Sequence, residues 1–303
     1  MFNLEHIKRV AHEVGFDLCG VAHTSIFEED RAFLKEWIEQ GYASSLDYLK
    51  RNIDCRADAT LLVEGAKSVI VCAVAYKNRV SDGYPTNHRT KVASYACTTD
   101  YHTTIKQMLF EMCAHLKEMD PDLSARCFVD SAPILEKRYA VEAGLGWIGR
   151  QSLLITPEYG SFVLLGEIVM TAECDRYDTP YNGIGCGECH RCVEACPNNA
   201  IKERHIDTSH CISCATIERK GEKQCSLHGW IFGCDECQSV CPYNRKAPYY
   251  TNIKLEPQFS PLEMCAEDWS SLSEMEFADK FSATPLARAG MRRILENVDL
   301  NRE

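Results

Sequence analysis

The chain has 303 residues, of which 45% are hydrophobic and 25% are charged, and its formal net charge is −11. These values fit an ordinary soluble protein with room for two domains, and the negative charge argues against a uniformly basic, nucleic-acid-binding surface. The longest apolar run, residues 69–76, is far too short to cross a bilayer. Eighteen cysteines without a signal peptide indicate metal ligation in the reducing cytoplasm rather than a disulfide scaffold.

The pattern of apolar residues predicts helices that alternate with strands through the first 175 residues. Helices are predicted over residues 3–14, 29–40, 103–119 and 134–143. Strands are predicted over residues 16–22, 68–76, 92–96 and 125–129, and a β-hairpin over 153–156 and 161–170. The continuous apolar run at 68–76 is predicted to be a buried central strand. This alternation predicts a layered α/β or α+β domain.

The composition changes to Asp, Tyr, Pro, Asn and Gly around residues 174–185, and we place a domain boundary there. The predicted division is an α/β domain at 1–175, a cysteine-rich domain at 176–250 and a C-terminal tail at 251–303 that packs back on the core. Acidic side chains are in excess in 1–185 and 251–275, whereas the two signs balance in 186–250 and 276–303. A polyanion would therefore meet the least repulsion on the two balanced segments.

Two cysteine runs dominate the middle of the chain. The first reads C-x2-C-x2-C-x3-C-P from Cys186 to Pro197, which is the run of bacterial two-cluster ferredoxins. The second reads C-x2-C-x3-C-P from Cys234 to Pro242 and lacks one cysteine, which Cys211 can supply. The count then closes at eight ligands for two 4Fe–4S clusters. The predicted sets are Cys186, Cys189, Cys192 and Cys241 for one cluster, and Cys196, Cys211, Cys234 and Cys237 for the other.

Zinc and disulfides are the alternatives for these cysteines. Structural zinc sites use paired C-x2-C knuckles, which leave the third cysteine of each run and its C-P ending unexplained. Disulfides would require an oxidising compartment. Cys214 and Cys225 remain outside the count, and we expect both to be spare buried thiols.

Three further features suggest chemistry. Asp130 follows a predicted strand and precedes a predicted helix, so it either caps that helix or places an acid where open α/β sheets bind ligands. The glycine run at 144–149 follows a helix, so it predicts a tight turn beside a large ligand rather than a dinucleotide site. Asp100 and His102 begin a D-x-H-x-x-G cobalt-ligand motif, but Ile105 replaces its glycine. A capped helix start with an exposed His102 is therefore favoured over a cobalt ligand.

Several motifs occur together in one order along the chain. They are Val129-Asp-Ser-Ala-Pro-Ile-Leu-Glu136, Ala143-Gly-Leu-Gly-Trp-Ile-Gly149, Gly166-Glu-Ile168, both cysteine runs, Cys211-Ile-Ser213 with Thr216-Ile-Glu218, and Gly233-Cys-Asp235. With this combination, residues 1–295 resemble the epoxyqueuosine reductase family. The resemblance implies an α/β (α+β) fold with an N-terminal, nitroreductase-related cobalamin-binding domain and a ferredoxin-like domain with two 4Fe–4S clusters. The N-terminal fold would also be related to those of reductive dehalogenases and cobalamin-processing proteins.

The resemblance also implies an activity. Members of the family reduce epoxyqueuosine to queuosine at the wobble position of tRNA anticodons, with base-off cobalamin between the two domains. The aspartate of the V-D-S-A-P motif, here Asp130, is the family's proton donor and lies against the cofactor. Positions that line the cobalamin fall on Arg56, Cys97, Ser152 and Ser213. Arg219 falls where the family touches the tRNA backbone.

The chain departs from the family at several points. Cys214 and Ala215 stand where bulky residues are expected, and the C-terminal helical-repeat extension of many members is expected to be absent because the chain ends at Glu303. Three arginines are expected to form a shorter tRNA-binding patch, namely Arg288, Arg292 and Arg293. We expect a cytoplasmic monomer that takes electrons from an external donor and does not bind membranes.

Two other functions remain open at this point. One is a cobalamin- and iron–sulfur-dependent reductase of a small substrate such as an organohalide, although no export signal is present. The other is a non-catalytic, ferredoxin-type electron carrier, which would leave the 175-residue N-terminal domain without a role.

Overall fold

The computed structural model describes residues 1–202, 205–219, 221, 225–249 and 252–302. The helices are α1 (Leu4–Val14), α2 (Glu28–Glu39), α3 (Ile53–Ala57), α4 (Tyr101–Met119), α5 (Glu136–Glu142), α6 (Arg191–Ala195), α7 (Ile212–Ile217), α8 (Glu236–Ser239), α9 (Pro242–Lys246), α10 (Ala266–Ser271), α11 (Glu274–Phe281) and α12 (Leu286–Leu300). The strands are β1 (Leu18–His23), β2 (Ser68–Ala75), β3 (Lys91–Val92), β4 (Ala125–Phe128), β5 (Trp147–Ile148), β6 (Leu154–Ile155), β7 (Val163–Met170) and β8 (Trp230–Phe232).

A four-stranded sheet organises the N-terminal part of the chain. Its order is β1-β2-β7-β4, and all neighbouring strands are antiparallel. Every residue of β2 is buried, which confirms the prediction of a buried central strand at 68–76. Helices α1 and α4 pack on one face of the sheet, and α5 packs on the other. The predicted mixed α/β class is confirmed.

Local capping fixes where the two long helices begin. The side chain of Asn3 accepts the N–H of His6 at 3.0 Å and caps α1. Asp100 caps α4 in the same way, because its side chain accepts the N–H of His102 at 3.1 Å. Such caps satisfy N–H groups that have no partner within the helix. The second cap holds His102 in the first turn of α4, close to the end of β4.

Two strand predictions are wrong, one in its pairing and one in its length. The turn of the predicted hairpin is present, since Thr156 and Gly160 bond to each other, but β6 pairs with β5 and not with β7. The turn at 149–153 brings β5 beside β6, with the Gly149 N–H donating to the Leu153 carbonyl, while β7 pairs with β2 along its whole length. The strand predicted at 92–96 is also shorter than expected. Only β3 pairs there, and residues 94–97 form a 3₁₀ turn.

A further core joins distant parts of the chain. β3 pairs in parallel with β8, and the apolar residues around this pair include Val92, Ile231 and Phe232. Trp269 and Phe281 from the C-terminal helices complete the same core. Residues of the C-terminal helices therefore pack against β3 and β8, while the predicted division into domains and tail stays a prediction. Across the described residues, we find no helix of the length and apolarity that a bilayer crossing requires.

Candidate active site and cluster ligands

The first predicted ligand set lies together near the protein surface. Burial raises the thiol pKa of Cys192 and Cys241, and the neighbouring sulfur of Cys186 raises both further. Cys189 also lies close enough to Cys241 to raise its pKa. The indole Nε1 of Trp147 donates to the Cys186 sulfur at 3.4 Å. These contacts bring the four cysteines of the first set into one group.

The second predicted set lies deeper in the protein. Burial raises the thiol pKa of Cys234 and Cys237, and the sulfur of Cys211 adds to both shifts. Burial also raises the thiol pKa of Cys211, with a contribution from Cys196. The structure therefore brings the four cysteines of the second set together.

The chemistry of these thiols suits a bound cationic cluster. A buried, crowded thiol resists ionisation by itself, but a coordinated metal stabilises the thiolate outright. Within the described residues, no three His, Cys, Asp or Glu side chains converge closely enough to hold a single metal ion. A 4Fe–4S cluster is bound by one cysteine at each iron, so its ligands do not need to converge on one point.

Thiols of the second set line an interior cavity of about 500 Å³. Four tyrosines form much of its wall, namely Tyr48, Tyr76, Tyr95 and Tyr101. The polar groups of Gln151, Ser152 and Ser213 also face this space. Gln151 is buried, and its Nε2 has no hydrogen-bond partner among the described residues. An aromatic cavity with unpaired donors suits a large, flat ligand whose rim carries amides, as the corrin ring of cobalamin does.

An outer cavity of about 800 Å³ opens beside the interior one, and Tyr48 and Glu218 line both. Asp130 lies in the wall of the outer cavity. Three cationic side chains surround the same space, namely Arg51, Arg56 and Arg288. The outer cavity therefore places two acids, Asp130 and Glu218, among three positive charges, next to a cavity lined by the cysteines of the second set.

Asp130 occupies a tight turn after β4. Its φ of +54° lies in the left-handed region, and its side chain is 52% exposed. Helix α5 begins at Glu136 with Leu135 at its N-cap and without a side-chain cap. The interpretation of Asp130 as a helix cap is therefore wrong. The carboxylate instead faces His102 and the outer cavity, and the backbone N–H donates to Glu136 Oε1 at 2.6 Å.

His102 connects Asp130 to a second acid. Its Nε2 lies 3.1 Å from Asp130 Oδ2, and its Nδ1 lies 2.6 Å from Asp100 Oδ1. Partial burial opposes a charge on the imidazole, but the hydrogen bonds to the two carboxylates outweigh it and raise the pKa of His102. The helix start is capped as predicted, but the imidazole is only 19% exposed and is not the solvated side chain that was expected. No sequence pattern indicated this contact, since the residues lie on separate elements.

The predicted cobalamin contacts divide between the two cavities. Ser152 and Ser213 line the interior cavity, and Arg56 lines the outer one. Cys97 is corrected, because its side chain is completely buried in the core around β3 and β8, with its sulfur 3.6 Å from the Ala93 carbonyl. Burial also raises the pKa of this thiol well above its ordinary value.

The predicted tRNA contact at Arg219 is also corrected. The side chain is only 4% exposed, one guanidinium nitrogen lies 3.5 Å from Glu296, and Nε and Nη1 have no partner among the described residues. A guanidinium buried in this way does not present its charge to a phosphate. The three arginines of the C-terminal tail do not form one patch either. Arg288 lines the outer cavity, whereas Arg292 is 93% exposed and pairs with Glu296.

The glycine run at 144–149 packs against the protein itself. A Cβ at Gly146 would lie 2.0 Å from the carbonyl oxygen of Ile155, and one at Gly144 would lie 2.7 Å from that of Thr179. The tight turn is therefore confirmed, but the close approach is to neighbouring backbone rather than to a ligand. Its effect on the site is indirect, because Gln151 and Ser152 follow the turn into the interior cavity.

Buried cysteine groups beside an aromatic cavity and an acid on a strand end define an iron–sulfur redox protein with a substrate site. A family model described as epoxyqueuosine reductase QueG, DUF1730, matches residues 56–131, and a 4Fe-4S double cluster binding domain matches 185–244. An epoxyqueuosine reductase from Cyclobacterium marinum is 38% identical over 300 residues, which cover 96% of this chain and 94% of the relative. The chain belongs to the epoxyqueuosine reductase family.

Solved structures agree with this assignment. A crystal structure of an epoxyqueuosine reductase with an epoxyqueuosine-modified tRNA-Tyr stem loop has a TM-score of 0.86 and 26% identity. An epoxyqueuosine reductase from Bacillus subtilis, with its catalytic aspartate loop swung out of the active site, has a TM-score of 0.84 and 25% identity. Each match covers 98% of this chain and 80% of the solved chain. The relation to nitroreductases stays a prediction.

Proposed function

We propose that this protein reduces epoxyqueuosine to queuosine at the wobble position of tRNA anticodons, the last step of queuosine biosynthesis. The observation that carries the proposal is the position of Asp130, which lies in an open outer cavity adjoining the interior cavity of cluster cysteines. Family membership and the relative solved with an epoxyqueuosine-modified stem loop support the same reaction and a tRNA substrate. The protein is an oxidoreductase.

The interior cavity would hold cobalamin, and both cysteine groups would hold 4Fe–4S clusters. Gln151, Ser152 and Ser213 would bind the corrin rim, while the tyrosine walls exclude water from it. Base-off binding belongs to this proposal because the chain resembles the epoxyqueuosine reductase family, and no histidine appears among the described residues that line this cavity. When bound, these groups supply a reducing cobalt centre and the single electrons that recharge it.

The chain's own residues supply protons. Conversion of the epoxide to the alkene consumes two electrons and two protons and releases the oxygen as water. Asp130 faces the outer cavity, where its carboxyl group would give a proton to the departing oxygen. His102 Nε2, 3.1 Å from the same carboxylate, would then restore that proton. Asp100 holds the imidazole in place and favours its charged form.

The outer cavity would receive the anticodon loop. Its arginines suit a polyanionic substrate, and Arg288 brings the C-terminal tail to the reaction site. The cysteine-rich domain at 176–250 and the tail at 251–303 would each border the tRNA. An external electron donor, a monomeric state and a cytoplasmic location belong to this proposal. A small-substrate reductase would have no need of an open, arginine-lined cavity, and an electron carrier would have none of the paired Asp130 and His102.

Nucleoside analysis tests the function directly. A deletion strain should accumulate epoxyqueuosine in its tRNA, and re-expression of the wild-type gene should restore queuosine. Purified, cofactor-loaded protein should convert epoxyqueuosine-containing tRNA from that strain when given a low-potential reductant. Normal queuosine in the deletion strain, together with inactive purified protein, would reject the proposed function.

A further inference from the structure

Glu167 lies near the middle of the inner strand β7, where a charged residue is unusual. Its side chain is completely buried, and neither carboxyl oxygen has a hydrogen-bond donor among the described residues. Its strand neighbours on the same face, Leu165 and Val169, pack in the apolar core below α5. An ionised carboxylate without a partner is costly in such a place, so Glu167 must keep its proton or find one to share.

Glu136 is the group that faces it. This residue begins α5, and its Oε1 lies 2.6 Å from the backbone N of Asp130, two residues beyond Phe128, which is the cross-strand partner of Glu167. The two carboxyl groups therefore lie on the same side of the sheet, where each raises the pKa of the other or bonds to it. Two carboxylates can form such a bond only when one of them carries the proton. Burial raises the pKa of both groups. Glu167 is the protonated partner because its side chain is completely buried, whereas Glu136 is only partly buried and accepts the Asp130 N–H.

The same Glu136 carboxylate holds the catalytic turn. Its Oε1 accepts the backbone N–H of Asp130 at 2.6 Å, while Asp130 itself adopts a left-handed conformation that costs free energy for a residue with a side chain. A bond to an ionised acceptor is stronger than one to a neutral group. Proton donation from Glu167 allows Glu136 to stay ionised and to keep this bond.

Two cations, Lys137 and Arg56, act on Glu136, but no cation is among the groups that shift the pKa of Glu167. Lys137, next to Glu136, is exposed on the side of the interior cavity and donates to the Ser152 carbonyl. The other charged or titratable groups that act on the pair are Asp130 from the turn, Tyr101 from α4 and Cys72 from β2. Asp130 adds negative charge beside Glu136, which favours retention of the proton by the pair.

We propose that Glu136 and Glu167 share one proton beneath the Asp130 turn, and that this pair positions Asp130 for proton transfer. The inference rests on the proposed function, because it gives the pair a role in the same reaction. Glu136 and Glu167 are positioning residues, since neither one lines the outer cavity among the described residues. Loss of the proton would set two carboxylates against each other and release the turn.

Two substitutions at one site test this role. Glu167→Gln provides a permanent N–H donor to Glu136, so kcat should stay within about threefold of wild type, whereas Glu167→Leu has no donor and kcat should fall by more than about tenfold with KM little changed. If Glu167 had only a packing role, Glu167→Leu should be the more active of the two variants, because Leu suits this apolar site better than a polar side chain. Glu142→Gln, on the partly exposed side of the same helix, is the matched control and should behave as wild type.

The pH dependence adds a second readout. Wild-type kcat should fall more steeply at alkaline pH than that of Glu167→Gln, because only the wild type loses the shared proton there. The raised pKa also means that the stability from the protonated Glu167 is full below its usual pKa and is lost as the pH rises. The Tm of Glu167→Gln should therefore gain on wild type with rising pH. The infrared carbonyl band of a protonated carboxyl group should persist at neutral pH in the wild type.

The outcomes separate this proposal from the proposed function. Wild-type activity in Glu167→Leu, or no carboxyl band in the wild-type protein, would overturn the proposal of a shared proton. Neither result would contradict the proposed reductase function. The purified protein could instead lack reductase activity and still show the carboxyl band and the pH-dependent Tm difference. That result would reject the proposed function but keep the shared proton. If Glu167→Gln does not fold, the infrared difference between wild type and Glu167→Leu decides whether Glu167 holds the proton, since the band of the buried Asp235 is common to both.

Discussion

His102 Nε2 lies 3.1 Å from Asp130 Oδ2, so the start of α4 and the turn after β4 meet through a single hydrogen bond. The other ring nitrogen is 2.6 Å from Asp100, which makes the imidazole a bridge between two carboxylates. A group that bridges in this way can pass a proton to one carboxylate while the other stabilises its charge. The chemistry proposed for the outer cavity depends on this arrangement.

The first prediction concerns Asp130 itself. Asp130→Asn keeps the shape and most hydrogen bonding but cannot deliver a proton, so turnover of epoxyqueuosine tRNA should fall by roughly 10²–10⁴-fold. Iron and cobalamin occupancy should stay near normal, because the side chain caps no helix. Asp54→Asn removes an exposed carboxylate from α3 and is the matched control. More than about a tenth of wild-type activity in Asp130→Asn would contradict the proton-donor role.

The second prediction concerns the pH dependence that His102 imposes. Its pKa is raised above the ordinary value of 6.5, so the protonated imidazole is present below that value and is lost as the pH rises through the raised pKa. If His102 restores the proton of Asp130, kcat should decline over that range, and His102→Gln should be slower and lack this decline. His115→Gln alters an exposed histidine of the same helix and should keep the wild-type profile. An unchanged profile in His102→Gln would exclude the relay.

The third prediction concerns cobalt. Both ring nitrogens of His102 are engaged by carboxylates, so neither one is available to coordinate the metal. Electron paramagnetic resonance of the cobalt(II) form should therefore show no nitrogen superhyperfine splitting from the protein. A three-line nitrogen pattern that disappears in His102→Ala would show that the histidine leaves its carboxylate partners and binds cobalt.

Local patterns in the sequence predicted the elements whose formation depends on nearby residues. The apolar spacing of Leu4, Ile7 and Val10 defines α1, and the continuous apolar run at 68–76 defines β2. Cysteine spacing likewise indicated two ligand groups, because the spacing within each run reflects the reach of short helical turns. Asp130 was found through its motif, which resemblance to the family connected with proton donation.

Contacts between distant segments could not be predicted in the same way. β7 pairs with β2, which is distant in sequence, while β6 pairs with β5 instead of forming a hairpin with β7. Burial of Cys97 and Arg219 likewise depends on how the C-terminal helices close over the core. Glu167 did leave a local signal, since a lone charge in an otherwise apolar strand indicates a buried acid with a special partner.

The fourth prediction concerns the cluster ligands. If eight cysteines bind two 4Fe–4S clusters, anaerobically purified protein should contain about eight iron and eight sulfide per chain. Cys211→Ala should lose about half of the iron, because Cys211 belongs to the second set. Cys214→Ser is the matched control, since it lies three residues later and contacts the Ser45 hydroxyl at 3.8 Å. About four iron in the wild type, or tightly bound zinc, would refute the assignment.

The last prediction concerns tRNA binding. Arg288 lines the outer cavity with Asp130, so Arg288→Gln should weaken tRNA binding and reduce the slope of log K against log salt by about 0.7–0.9 for one lost phosphate contact. Arg292→Gln is the matched control, because that side chain points to solvent and pairs with Glu296 on its own helix. Arg219→Gln should change stability rather than the salt slope, since its guanidinium is buried. Salt slopes for Arg288→Gln and wild type that coincide would place the tRNA backbone away from the outer cavity.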